Sequence, residues 1–235
     1  MGTSHGSSDS LVLLEIPVIR CVFLKRLNRF VSRVIAGDTL TEAHTNNTGR
    51  LEDLLIEGRE VLCTPIRGRK LRLRIVGTEV VGSPLYTLID TSLQERAVVE
   101  AVGRGLIPKL IKYRIVRRNV KVGGSTFDLL LEGPEGRVPG EIKSAVFYFP
   151  SDGSARYPDT VTLRGRRHIE ELGREGGILL FVAAHPLAKV FKPCSLDPKI
   201  PGLLSGFGGR IVAVKMALTD NGEVILMDGN LPYAV

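Results

Sequence analysis

Asp128 is followed thirteen residues later by Glu141-Ile142-Lys143, and the types and spacing of these charged residues are the strongest chemical pattern in the chain. Asp128 sits in the run Ser125–Glu132, and a turn-forming stretch from Gly133 to Gly140 separates it from Glu141–Phe147. Two β-prone runs around such a stretch predict a hairpin. Side chains alternate along a strand, so Glu141 and Lys143 share one face. With Asp128 opposite them, two carboxylates would hold a hard divalent cation, Mg or Mn. The Lys143 ammonium would then orient water and offset charge on a scissile phosphate. The same spacing also describes a solvated Glu–Lys pair beside a surface aspartate, because Glu-x-Lys is a common tripeptide.

The elements that must position this trio come in an interpretable order. Leu93, Ala97, Val98, Ala101 and Val102 form a helical apolar face ending at Gly103, and Ser92 and Glu95 are spaced as a capping box. Strands are expected over 113–120, 126–132 and 141–149, then a helix from near Asp159-Thr160 to Gly173 and a buried strand over 178–184. A hairpin follows over 211–227, with a type I′ turn expected at Asp220-Asn221-Gly222. Helix, three strands, helix, strand is the order of the PD-(D/E)xK nuclease core. In that arrangement the first helix offers Glu100 as a further metal-ligating carboxylate. The second helix offers Arg164, Arg167 and His168 as phosphate contacts, while Asp159 reads as its cap.

Residues before 90 have a different character. Short strands at close spacing (11–16, 21–27, 31–35, 61–64, 71–76, 80–81 and 86–89) suit an OB-type barrel. Asn47-Thr48-Gly49 predicts a tight turn with Gly49 at positive φ, and Leu51–Leu55 predicts a short helical turn. The predicted fold is α+β. An OB-like β-barrel over 11–90 is followed by an α/β PD-(D/E)xK nuclease-like domain with a mixed central sheet over 91–235, after a loose tail over 1–10.

Charge points to a partner. Lys and Arg total 32 against 25 Asp and Glu, a net charge of +7. Six bases and no acid fall between Leu106 and Lys121, while Arg67, Lys70, Arg72 and Arg74 form a stripe in which bases alternate with Leu71, Leu73 and Ile75. Such a stripe suits a phosphate backbone, and DNA, duplex or single-stranded, is the expected partner; a solubilising cationic surface has the same composition. Aromatic residues are sparse near the stripe and the chain has no Trp, which counts against single-strand stacking there. No apolar run is long enough to span a bilayer. Cys21, Cys63 and Cys194 have neither zinc nor disulfide spacing, so buried thiols in a reducing cytoplasm are expected.

The chain resembles the sugar fermentation stimulation protein family over nearly its whole length. The resemblance is carried by Leu27–Phe30, His44-Thr45-Asn46-Asn47-Thr48-Gly49-Arg50, Ser125–Asp128, Glu141–Ser144, Tyr157–His168 and Asp197-Pro198. It implies an N-terminal OB fold, a PD-(D/E)xK-like second domain, DNA binding and a regulatory role in sugar, especially maltose, metabolism. The family usually carries an acid nine residues before the aspartate and an arginine after the serine, where this chain has Asn119 and Thr126. These departures remove one hard ligand and one phosphate donor, leaving a one-metal site on Asp128 and Glu141. Three readings therefore stand: a metal-dependent nuclease, a non-catalytic DNA-binding regulator with a degraded site, and a small-molecule sensor built on Ala43–Arg50. Self-association of the chain is left open by its sequence.

Overall fold

The computed structural model describes residues 11–68 and 70–234, so the expected tail lies outside the described residues. The chain begins with strands β1 (Val12–Glu15), β2 (Ile19–Arg26), β3 (Val31–Ala36), β4 (Thr39–His44), β5 (Glu60–Pro65), β6 (Leu73–Thr78) and β7 (Thr87–Leu88). Helix α1 (Thr91–Gly103) leads to β8 (Arg114–Val122), β9 (Ser125–Gly133), β10 (Gly136–Ser144), β11 (Phe147–Phe149) and β12 (Ser154–Tyr157). Helix α2 (Leu163–Arg174), β13 (Ile178–Ala183), β14 (Val190–Pro193), helix α3 (Ile200–Ser205), β15 (Arg210–Leu218) and β16 (Glu223–Asp228) complete it.

In the first region β4-β3-β2-β5-β6 pair in order, and a parallel β4–β6 contact at Ala43↔Leu73 closes them into a five-stranded barrel. Alternation explains its core: in β3, Ser32 and Val34 point inward, and Val61, Leu62, Ile75 and Leu88 are fully buried. β4 was not anticipated, because Thr39–His44 has weak apolar alternation and owes its strand to pairing with β3. Val80-Val81, expected as a strand, is instead a turn.

The second region is built on a seven-stranded mixed sheet, β1-β16-β15-β13-β10-β9-β8, in which β10, β13 and β15 run parallel. β1 pairs with β16, so the first strand of the chain belongs to this sheet and not to the barrel. The fully buried run Ile178–Ala183 lies near the sheet's centre, sending Leu180 and Val182 toward α1 and Leu179 and Phe181 toward α2. α2 buries Ile169 and Leu172, each contributing about 1.5–3 kcal/mol. A three-stranded sheet, β11-β12-β14, packs beside it.

Local corrections have local causes. The stretch 133–140 is mostly strand: β9 and β10 pair from Gly133↔Gly136 to Gly140↔Leu129, leaving Pro134 and Glu135 as the turn. The β15–β16 turn is not type I′, because Asn221 is not among the described non-glycine residues with positive φ. The Gly222 amide bonds to the Thr219 carbonyl, and Gly222 alone in that turn takes the left-handed conformation (φ +89°). Gly49 has no positive φ; its need is space, since a Cβ there would lie 2.1 Å from the Asp159 carboxylate. α1 is capped by Asp90, which accepts from the Leu93 amide, and not by Ser92. α2 starts at Leu163 under a Thr162 cap, while Asp159 binds the Arg50 amide instead of capping. Cys21, Cys63 and Cys194 are buried free thiols, as expected.

Candidate active site

The site forms where β9 and β10 part. Their pairing ends at Leu129↔Gly140, so the next backbone amides of β10 lack a strand neighbour on that side. Asp128 supplies the missing acceptor: its Oδ2 takes the Ile142 N–H at 2.7 Å. Here β9 also changes its facing. Phe127 packs with the α2 side, whereas Leu129 and Leu131 pack with the α1 side. The carboxyl of Asp128 lines a hollow of about 170 Å³ with Gln94, Glu95, Ile142 and Ser144.

Glu141 and Lys143 share the α2 face, as alternation requires. Lys143 Nζ donates to Glu141 Oε1 at 2.6 Å, with both side chains largely buried. The same oxygen meets His168 Nδ1 at 2.8 Å. Arg164 Nε donates to His168 Nε2 at 3.4 Å, so the imidazole proton sits on Nδ1 and points at Glu141. The other oxygen of Glu141, Oε2, is buried without a hydrogen-bond partner among the described residues.

The electrostatics follow from this crowding. Burial first, and then the charge of Glu141, push the Asp128 carboxyl up to about 6; the Ile142 amide and Lys143 oppose the rise. Burial would lower the Lys143 ammonium, but Glu141, Tyr157 and Asp128 outweigh it and hold its pKa above the usual value. Lys143 is therefore charged at neutral pH and serves as an electrostatic and hydrogen-bonding group.

The other predicted residues scatter. His168 is buried behind Glu141 with its ring edge-on to Phe127, so it does not present itself to a phosphate. Helical spacing carries the signal for this, because His168 shares the stripe of Ile169 and Leu172 that docks on the sheet. Glu100 is exposed on α1 and absent from the hollow; the helix carboxylate that reaches Asp128 is Glu95, held by Arg118 at 2.5 Å. A carboxylate in the first turns of the helix, near its Asp90 cap, was the missed signal. Arg164 and Arg167 are exposed on α2, the latter 3.9 Å from Glu171. Arg67, Lys70 and Arg72 are exposed ahead of β6, whereas Arg74 is drawn 2.6 Å from the fully buried Asp90 and serves the barrel–helix junction. Asn119, at the position of the expected acid, is exposed and takes positive φ (52°). No group of three or more His, Cys, Asp or Glu side chains arranged to hold a metal occurs among the described residues.

A family model described as the SfsA N-terminal OB domain matches residues 24–85, and one described as the sugar fermentation stimulation protein RE domain matches residues 92–220. The chain belongs to the sugar fermentation stimulation protein family. A family homologue from Pyrococcus furiosus is 39% identical over 91% of this chain and 95% of its own. One from Archaeoglobus fulgidus is 40% identical over 74% of this chain and 76% of its own. A solved structure of Pyrococcus furiosus SfsA in complex with Ca2+ superimposes with a TM-score of 0.89 at 36% identity, covering 96% of this chain and all of that one.

Proposed function

We propose that this protein is a divalent-metal-dependent phosphodiesterase acting on DNA, with Asp128 and Glu141 as metal ligands and Lys143 at the reacting phosphate. The supporting observation is the buried, unpartnered Glu141 Oε2 beside an aspartate whose ionisation is opposed by burial and by Glu141 itself. Asp128 and Glu141 would hold a hard cation, with a main-chain carbonyl such as that of Ile142 and water as further oxygen donors. The Ca2+ named for the Pyrococcus furiosus relative agrees with this donor chemistry. Glu141 is already oriented for the role, because Lys143 and His168 both hold Oε1 and leave Oε2 free.

Each residue then has a defined task. A cation at this site would polarise the phosphodiester and lower the pKa of bound water. Lys143 Nζ, fixed by Glu141, donates to the attacking water or to a phosphoryl oxygen as negative charge develops. His168 keeps Glu141 from rotating, and Arg164 sets the tautomer of His168. Arg167 on α2 and Lys121 on β8 are exposed cations available to flanking phosphates. The barrel residues Arg67, Lys70 and Arg72 would hold backbone farther along.

The test is a cleavage assay on single-stranded, duplex and branched DNA with Mg²⁺ or Mn²⁺. Lys143→Ala should lower the rate by about 10²–10³-fold, in the range for removing a preorganised donor from the transition state. Absence of cleavage on all three substrates would overturn the catalytic reading. The regulator reading predicts salt-sensitive DNA binding that survives Asp128→Ala and weakens in Arg72→Ala or Arg167→Ala, and Asn119 is the observation that favours it.

A further inference from the structure

Three neighbouring cavities share walls. The hollow at Asp128 reaches Ser144. Ser144 also lines a cleft of about 270 Å³ with Arg29, Arg156 and the Asn47–Gly49 loop. That cleft shares Val146, Phe147 and Asp159 with a larger one of about 670 Å³, which lies between the barrel and the second domain. Only three residues of chain lie between Ser144 and Tyr148, a span of at most ~14 Å. The three spaces thus adjoin one another in a row that leads away from the candidate active site.

Their chemistry changes along that row. The middle cleft carries Arg29 and Arg156 beside the one carboxylate of Asp159; Arg156 is paired with Asp152 at 2.8 Å, which leaves Arg29 as the group that suits a phosphate. The large cleft has the opposite balance: Glu52, Asp53, Glu79 and Asp159 against Arg50 and Arg59. An anion is disfavoured there. Its wall is aromatic, with Tyr148 lying flat on His185 at 4.0 Å and 7° between planes. Burial and Lys215 lower the His185 pKa to about 4, so the ring is neutral. His185 Nδ1 accepts from the Leu187 amide, leaving its proton on Nε2. Apolar side chains at the rim are left open to solvent, Val81 at 76%, Leu196 at 46% and Leu187 at 39% exposure. A cavity of this size with a flat aromatic wall, apolar rim and carboxylate acceptors fits a neutral planar ring bearing N–H donors.

We propose that the large cleft takes a single unpaired nucleobase from a DNA strand whose backbone runs through the Arg29–Arg156 cleft to the Asp128–Glu141 site. The assignment rests on the phosphodiesterase reading above and gives it a substrate class: DNA with a base outside the helical stack. The base packs on Tyr148 and its amino groups donate to the cleft carboxylates. Its phosphate stays beside Arg29 in the middle cleft, while the base lies in the cleft with the larger excess of carboxylates. An unpaired base costs less to bring out of the stack than a paired one, which makes the cleft selective.

The test uses the full chain in EDTA, with a duplex carrying one unpaired 2-aminopurine and the matched fully paired duplex. Affinity is read by anisotropy and base environment by 2-aminopurine fluorescence. Wild type should prefer the unpaired-base duplex by about tenfold, within the range of one base–aromatic stack. Tyr148→Ala and, at the exposed rim, Leu187→Glu should each abolish the preference while leaving affinity for paired duplex unchanged; Tyr148→Phe should retain it. Equal affinity for the two duplexes, or a preference that survives both disruptive variants, overturns the proposal. Displacement of the duplex by free nucleosides at matching concentration also overturns it, because the cleft would then be a small-molecule pocket. Cleavage of the same duplexes in Mn²⁺ is scored separately. A preference without cleavage sinks the catalytic reading alone, and cleavage without a preference sinks only the base pocket.

Discussion

Asp197 and the Asp128–Glu141 pair are carboxylates in opposite surroundings. Asp197 is fully buried and saturated with donors: Arg166 reaches it through Nε at 2.9 Å and through a second guanidinium nitrogen at 2.7 Å, and the Thr162 and Lys199 amides add bonds at 3.0 and 3.3 Å. Burial alone would raise its pKa, but these donors more than reverse that and hold it below the usual value. At the β9–β10 fork, Asp128 has one backbone donor, the Ile142 amide, and a raised pKa, and Glu141 keeps a bare oxygen. The fold can satisfy a buried carboxylate fully, as it does at the start of α2. Single oxygens of Asp90 and Glu171 also lack a hydrogen-bond partner among the described residues, but at the fork the bare oxygen belongs to an acid that raises the pKa of a neighbouring aspartate, and this crowding of carboxylates is what the proposed cation would relieve.

The contrast can be broken first at its saturated end. Asp197→Ala should destabilise the protein by about 3–5 kcal/mol in urea unfolding, because the largely buried Arg166 loses its counter-charge. At the unsaturated end the sign reverses. Asp128→Asn should stabilise the metal-free protein by roughly 1–3 kcal/mol at pH 7.5, since the amide oxygen can still accept from Ile142 while the disfavoured charge is gone. A loss of stability in this variant would remove the argument that the site is short of cations.

The pH dependence sharpens the same point. The folded-state pKa of Asp128, about 6, lies above its ordinary value of 3.8, so folding favours the protonated form. The stability it contributes is fully present below the unfolded pKa and is lost as pH rises through about 6. The gap in urea midpoint between wild type and Asp128→Asn should therefore be largest at neutral pH and close toward pH 4. Millimolar Ca²⁺ should raise the wild-type Tm at neutral pH and leave Glu141→Gln unmoved. The smallest effect belongs to the cap near Asp197: Thr162→Ala removes the acceptor for the Gly165 amide and should cost about 1 kcal/mol.

Much of this was legible in the sequence, and the failures have a common source. Alternation places Glu141 and Lys143 together, and the apolar face of α1 is read correctly from Leu93 to Val102. Local pattern does not show where a strand parts from its neighbour, so the Asp128–Ile142 bond was out of reach. The docking side of α2 is legible from Ile169 and Leu172, and His168 lies on it; the basic neighbours Arg164 and Arg167 suggest a phosphate contact, whereas the ring is a buried support for Glu141. The Ser92–Glu95 spacing suggests a capping box, yet Asp90 does the capping and Glu95 turns to the hollow. Gly140 and Pro139 suggested a loop, but tertiary pairing with β9 and β13 holds them in a strand.

The pairing of β1 with β16 also has a mechanical consequence. The barrel is inserted between two segments of the second domain's sheet, entering from β1 and leaving into α1. The Ile16 amide bonds to Gly222 at 3.0 Å, Arg20 reaches Asp220 at 2.9 Å, and Tyr86 bridges to Leu218. With both ends anchored, a single chain break near residue 90 should not free the barrel, and any cleft between the two parts keeps its walls in register. Deleting the residues through Glu15 would do the reverse: it would unfasten one anchor and bare the β16 edge as a sticky template for another chain.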